Sequence, residues 1–318
     1  MLTWPALADA RAALVDAQID LLVSPAVEEI ARACPYVDGV IVDGGGSVRE
    51  LQLRLKTGSY NAAVVLFSTA RVGLSLWSAR VPYRLAPATK LHQLFFNRRL
   101  RQRRSQSLKP EYEYNRDLIR QLLIDHDLPA PAPMPQPPFW VLPTNRQRQT
   151  INVDSACLVI IHPGSGGSAR NLTLNQYAEL ANQLTSNRPL SILITAGPGE
   201  ADQANLLAQS ITQHKARVHV STDGLVAFAQ VLAQADLFVS GSTGPLHIAG
   251  ALDVPTLAFY PRRRSSTALR WQTTNRVGRR MAYSPPPDGD EQDMQAIDVV
   301  SAAKAASSEF LGDGNDRS

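Results

Sequence analysis

Cysteine is nearly absent from this chain: its 318 residues include two, Cys34 and Cys157. Each lies in an apolar context and neither has metal-ligand spacing, so a disulfide framework is excluded and no metal site is expected. A reducing, cytoplasmic compartment fits that usage. No apolar run reaches the roughly 18–20 residues that a membrane span requires. The N-terminus has no basic stretch followed by an apolar one, so no secretory signal is expected. Aromatic residues make up only 6%, and no repeated module interleaves them with basic residues, which argues against nucleic acid as a partner. Neither a coiled-coil heptad nor an exposed apolar helix face is evident, and a monomer is expected.

The length suffices for two domains of ordinary size. The formal net charge is +4, and the basic residues are clustered. Arg98, Arg99, Arg101, Arg103 and Arg104 fall within seven positions, Arg262, Arg263 and Arg264 form a second group, and Arg279 and Arg280 a third. Such groups can be solvated faces. They can also attract an anionic surface, here lipid or a phosphorylated glycan, and the first group is the candidate for acceptor or membrane docking.

Apolar periodicity alternates along the chain. Helices are expected at 4–17, 25–33, 48–57, 70–79 and 112–123, with strands at 19–23, 37–42, 62–67 and 81–85. Residues 128–143 hold seven prolines in sixteen positions and read as a stiff extended linker. The alternation then restarts. Strands are expected at 156–161, 190–195, 218–220, 236–240 and 255–260, and helices at 174–185, 202–213, 225–234, 246–252 and near 293–309. Alternation at this spacing predicts an α/β protein with parallel sheets covered on both faces. The expected domains are 1–127 and 151–311, joined by a linker at 128–150, with a disordered polar tail at 312–318.

The stretch 235–260 is the most informative. A short strand feeds the polar turn Gly241-Ser242-Thr243-Gly244-Pro245, and a helix opens directly after it. Such a loop offers free backbone N–H groups and a positive helix end to an anion such as a nucleotide diphosphate. His247 lies one turn into that helix. An ordinary strand–helix turn would have the same local pattern.

Three segments of the second half resemble glycosyltransferase family 9, the ADP-heptose:lipopolysaccharide heptosyltransferases. They are residues 160–171 (IIHPGSGGSARN), 194–200 (ITAGPGE) and 240–252 (SGSTGPLHIAGAL). The first half agrees more loosely, through TWPAL at 3–7, DLLVSP at 20–25 and PYVDGV at 35–40. The resemblance implies a GT-B fold, two Rossmann-like domains facing a central cleft, with the donor nucleotide sugar on the carboxyl domain and the acceptor on the amino domain. It implies inverting transfer with no metal or other cofactor, from ADP-heptose to a lipopolysaccharide-core or similar anionic glycolipid. Contact would be peripheral, on the cytoplasmic face of the inner membrane.

By the same resemblance Ser242, Thr243 and Gly244 receive the donor diphosphate, and His247 binds a phosphate oxygen and stabilises the leaving group. Ser165 and Gly166 match the polar loop near the phosphates. Arg170 stands where many members carry lysine, and offers a planar fork in place of a point charge. Glu200 matches an acidic position near the donor ribose or base. Family members have a strand and a Gly-Asp pair before the TWPAL-like segment, and that aspartate is the expected general base. Here it would lie upstream of Met1, so no residue of this chain is named as catalytic; Asp9 and Asp16 do not match the motif. The expectation is a start recorded too late. The competing readings are a donor-binding relic that has lost its base and a sugar-nucleotide epimerase of GT-B architecture.

Overall fold

The computed structural model describes residues 1–88, 91–131, 134–142, 157–164 and 170–312, the side chains of residues 91 and 92 excepted. The chain divides into two compact units, Leu2–Pro135 and Gln136–Ser318. The division falls inside the proline-rich segment.

The first unit runs α1 (Trp4–Ala13), β1 (Asp20–Val23), α2 (Glu28–Arg32), β2 (Gly39–Val42), α3 (Val48–Thr57), β3 (Ala62–Val64), α4 (Ala70–Ser78), β4 (Tyr83–Pro87), β5 (Arg98–Leu100) and α5 (Glu111–Asp125). Ser47 and Thr69 start α3 and α4 by accepting from Glu50 N–H and Val72 N–H, the usual way to satisfy an orphan helix donor. All strand pairs are parallel, in two sheets: β1-β2 and β3-β4-β5. Among the described residues no strand joins β1 to β3. Helix α1 lays Ala6 and Ala10 against Ile119 and Leu123 of α5. Beside that contact, the Arg116 guanidinium donates through Nε to Asp9 Oδ2 at 2.6 Å and through Nη2 to Asp9 Oδ1 at 3.2 Å. Asp9 is therefore consumed by a buried ion pair, while Asp16 is exposed beyond the end of α1.

The second unit runs β6 (Cys157–His162), α6 (Leu174–Gln183), β7 (Leu190–Ala196), α7 (Ala201–Ser210), β8 (Lys215–Val220), α8 (Leu225–Leu232), β9 (Leu237–Gly241), α9 (Gly244–Ala251), β10 (Thr256–Phe259), β11 (Arg280–Tyr283) and α10 (Val299–Phe310). One parallel six-stranded sheet has the order β11-β10-β9-β6-β7-β8. Cys157, Val159 and Ile161 pack with Tyr177 and Leu180 of α6 and Ala302 and Ala306 of α10. Leu158 and Ile160 alternate with them toward the other face and are equally buried, as expected of a strand covered on both sides.

Two strands were not expected. β5 and β11 carry Arg98, Arg99 and Arg280, and both are sheet edges. An edge strand is half solvated and does not need the apolar run by which a central strand is recognised. The proline-rich segment also departs from a free linker. Phe139 and Trp140 are buried, Trp140 N–H donates to Ala251 O at 3.1 Å, and Arg276 donates to Pro137 O. Its second part is thus fastened to the second unit. Residues 143–156 and 313–318, and with them part of the linker, the start of the second domain and the expected tail, lie outside the described residues.

Candidate functional site

In the six-stranded sheet, chain order runs outward through β6, β7 and β8 on one side and through β9, β10 and β11 on the other. The direction reverses between β6 and β9. Ligands of open parallel sheets bind outside the strand carboxyl ends at such a switch point. Registers bring the ends together: His162 lies opposite Ser240, and Phe259 opposite Gly241. The loops after β6, β7, β9 and β10 therefore leave the same end of the sheet.

The loop after β9 is short. Thr243 is extended at the cap position of α9, and its side chain makes no capping bond. Its hydroxyl is instead 2.9 Å from Ser240 Oγ. Pro245 has no N–H, so the first turn of α9 presents the N–H groups of Gly244, Leu246 and His247 without a side-chain cap. A Cβ on Gly244 would meet nothing within 4 Å. Ser242 is half-buried, Thr243 buried and Gly244 exposed. An open space thus lies in front of an uncapped helix end.

His247 stands in this first turn. The residue is half-buried, but its Nδ1 is shut off from solvent and has no hydrogen-bond partner among the described residues. Burial pushes its imidazole down to about 3, so the ring is neutral near pH 7. Leaving such a polar atom unsatisfied costs about 1–3 kcal/mol, a cost that a packed core histidine would avoid by finding a partner.

The loop after β6 is held by a residue not singled out in the sequence. Asn171 donates through Nδ2 to Pro163 O at 2.8 Å and accepts at Oδ1 from Leu172 N–H and from Tyr177 O–H at 2.6 Å. A side chain on Gly241 would collide with Asn171. Asn171 thereby ties the loop after β6 to the end of β9 and to α6. Its position in the 160–171 segment is the one signal that could have found it. Arg170, its neighbour, is exposed and has no hydrogen bond or ion pair among the described residues. Ser165 and Gly166 lie outside the described residues.

Glu200 lies between the ends of β6 and β7. Its Oε2 accepts from Gly197 N–H at 2.9 Å, closing the turn before α7. Its carboxylate also occupies the space in which a side chain on Gly164 would sit. One carboxylate edge therefore serves the turn. His162, also at the end of β6, is buried with Nδ1 3.1 Å from Thr195 Oγ1. Burial lowers its pKa, with Glu200 opposing.

The basic groups separate on inspection. Arg279 and Arg276 both pair with Asp253, just past α9, and Arg280 donates to Thr273 O and Asn275 O. Arg262 donates to Gly289 O. In the first unit, Arg104 is no free docking cation: it binds Glu111 at 2.6 Å and donates to Leu66 O at 3.1 Å. Arg98 pairs with Asp125 at 3.4 Å. Arg99, Arg101 and Arg103 remain exposed. His126, in the same unit, packs against Tyr83 with ring centroids 4.8 Å apart and planes tilted by 55°. No helix among the described residues is long and apolar enough to cross a membrane.

Comparison with known proteins agrees with this geometry. The family model described as glycosyltransferase family 9 (heptosyltransferase) matches residues 48–293. A Haemophilus influenzae protein named "Putative glycosyltransferase" is 36% identical, over 95% of this chain and 90% of its own length. Among solved structures, the Escherichia coli ADP-heptose lipopolysaccharide heptosyltransferase II superposes with a TM-score of 0.75 at 19% identity, covering 96% of this chain and 94% of that one. Escherichia coli heptosyltransferase WaaC with ADP gives 0.71 at 18% identity, covering 97% and 95%. The α/β fold is theirs, of the GT-B class.

Proposed function

Because this chain belongs to glycosyltransferase family 9, we propose that it moves a heptose from ADP-heptose to a hydroxyl of a lipopolysaccharide core or similar anionic glycolipid. The acceptor oxygen forms a bond to the anomeric carbon from the face opposite the leaving group. The bond from that carbon to the diphosphate oxygen breaks, and its electron pair leaves with ADP, inverting the centre. The developing charge is met by the first-turn N–H groups of α9, by a hydrogen bond from or through His247, and by the Arg170 guanidinium. The family resemblance assigns Ser165 and Gly166 to the same phosphates, and Glu200 offers its remaining carboxylate edge to the ribose. With these fixed donors and a cation, the transfer requires no metal. The acceptor hydroxyl gives up its proton to solvent water as the new bond forms, and no described residue of this chain is assigned as a base for it. The protein works as a monomer at the cytoplasmic surface of the inner membrane, where its acceptor is held.

The observation that carries this reading is the orphaned Nδ1 of His247 beside an uncapped helix end at the switch point. Titration calorimetry with ADP, UDP and GDP tests it, together with mass spectrometry of a lipopolysaccharide-core acceptor incubated with ADP-heptose. Selective ADP binding and an acceptor heavier by one heptose are expected. A protein that ignores ADP at millimolar concentration would overturn the assignment.

A further inference from the structure

The first arginine group sits on an extended segment, and its members alternate in what they touch. Arg98 reaches Asp125 of α5, Leu100 packs in the cluster of Leu118 and Leu122, and Gln102 donates to Tyr114 O at 2.5 Å. This is the period of two of an extended chain, every second residue being committed to α5. Arg99, Arg101 and Arg103 are left exposed, and none has a carboxylate or hydrogen-bond partner among the described residues. Three uncompensated cations thus lie within five positions.

Beyond them the chain forms a rigid knuckle. Arg103 and Ser107, at φ 46° and 49°, flank a single 3-10 turn at Arg104–Gln106. Residues other than glycine seldom adopt that backbone, so the turn is held by its surroundings. Arg104 fastens it to Glu111, Gln102 and Leu66 O, and Leu108 N–H donates to Tyr114 O–H at 3.2 Å. The Arg104 and Lys109 cations stand 5.7 and 5.1 Å from the Tyr114 ring centroid. Arg104 thus joins Leu66, two residues past the end of β3, to the knuckle. The residues next to these anchor points are Phe67, 79% exposed, and Leu108, 70% exposed. Two large exposed apolar side chains thus adjoin, in sequence, the anchor points of the knuckle into which the segment with the three exposed arginines runs.

We propose, building on the membrane-attached acceptor above, that this knuckle is a bilayer-contact tip. Phe67 and Leu108 enter the headgroup boundary, and Arg99, Arg101 and Arg103 take the phosphates of anionic lipid. The charge complementarity is simple: three exposed guanidinium groups with no carboxylate partner among the described residues each have a phosphate of the leaflet to bind. Neither component suffices alone, since one apolar contact or one weak charge field gives only marginal, reversible attachment.

Vesicle flotation tests this with the full chain. The probes are vesicles of phosphatidylcholine alone and of phosphatidylcholine with 30% phosphatidylglycerol, at low and high salt. Binding to the anionic vesicles only, weakened by salt, is expected. Each arginine near such a surface contributes roughly fivefold to partitioning, so R99Q/R101Q/R103Q loses on the order of a hundredfold. F67S/L108S loses roughly tenfold or more. R98Q, whose partner is Asp125, and V277S in the second unit leave partitioning unchanged. All variants keep their ADP affinity and melting temperature. Equal binding to both vesicle types, or full binding by the triple variant, overturns the proposal. So does preference for duplex DNA over the anionic vesicles. ADP binding without vesicle binding would sink the tip and leave the donor site standing; vesicle binding without ADP binding would do the reverse.

Discussion

Replacing His247 with leucine should move stability and affinity in opposite directions. Among the described residues the buried Nδ1 has no partner, and an unsatisfied buried polar atom costs about 1–3 kcal/mol. Leucine removes that atom, is of similar size, and is the better helix former by a few tenths of a kcal/mol. For a unit of this size each kcal/mol is worth roughly 2–4 °C, so H247L should melt roughly 2–12 °C higher. The same change deletes a hydrogen bond to a charged phosphate, worth about 1.5–3 kcal/mol, and ADP binding should weaken roughly ten- to 150-fold. Differential scanning calorimetry of the unliganded protein and titration calorimetry with ADP measure the two effects. A variant that melts lower and binds ADP as tightly as the parent would refute the reasoning, because His247 would then be a packing residue.

The same histidine gives a pH signature. Its folded pKa, pushed down to about 3 by burial, lies below the ordinary unfolded value near 6.5. The unfolded chain therefore binds the extra proton between those values, and stability falls as pH drops through that window, by at most about 1.4 kcal/mol per unit. Urea unfolding at pH 7, 6 and 5 should show the gap between H247L and the parent widening toward acid. In the first unit, R116M strands buried Asp9 without its partner and should cost about 3–5 kcal/mol by urea unfolding, whereas D9L/R116M should recover most of it; equal loss in both would mean the ion pair itself is the stabilising element. R170Q should weaken ADP binding about tenfold at low salt and much less at 0.5 M, with R170K close to the parent; a salt-independent loss would point to a structural role.

Much of the second unit was legible because its central strands are buried on both faces. Residues 157–162 and 237–241 are near-continuous apolar runs, and the turn after each is punctuated by glycine and hydroxyl residues, so strand, loop and helix could be placed in order. In both units the pattern is less legible where polarity hides structure. β5 and β11 lie at sheet edges and need no apolar pattern. Expected helix ends run a few residues too far, as at α1, where the periodicity of 4–17 continues but the last helical hydrogen bond is Leu14 N–H to Ala10 O.

The sequence by itself determined the alternating elements, the division near the proline-rich segment and the hydroxyl loop that opens α9, because local apolar period and turn chemistry are written in neighbouring residues. Only the tertiary structure decided which polar groups are free. It spent Asp9 on Arg116, Arg104 on Glu111 and part of Glu200 on Gly197, it recruited Asn171 to hold two loops together, and it left His247 Nδ1 and three arginines without partners among the described residues. Those outcomes depend on contacts between residues far apart in the chain, where burial and the reach of a side chain settle whether a charge or hydrogen-bonding atom is matched, and no local pattern encodes them.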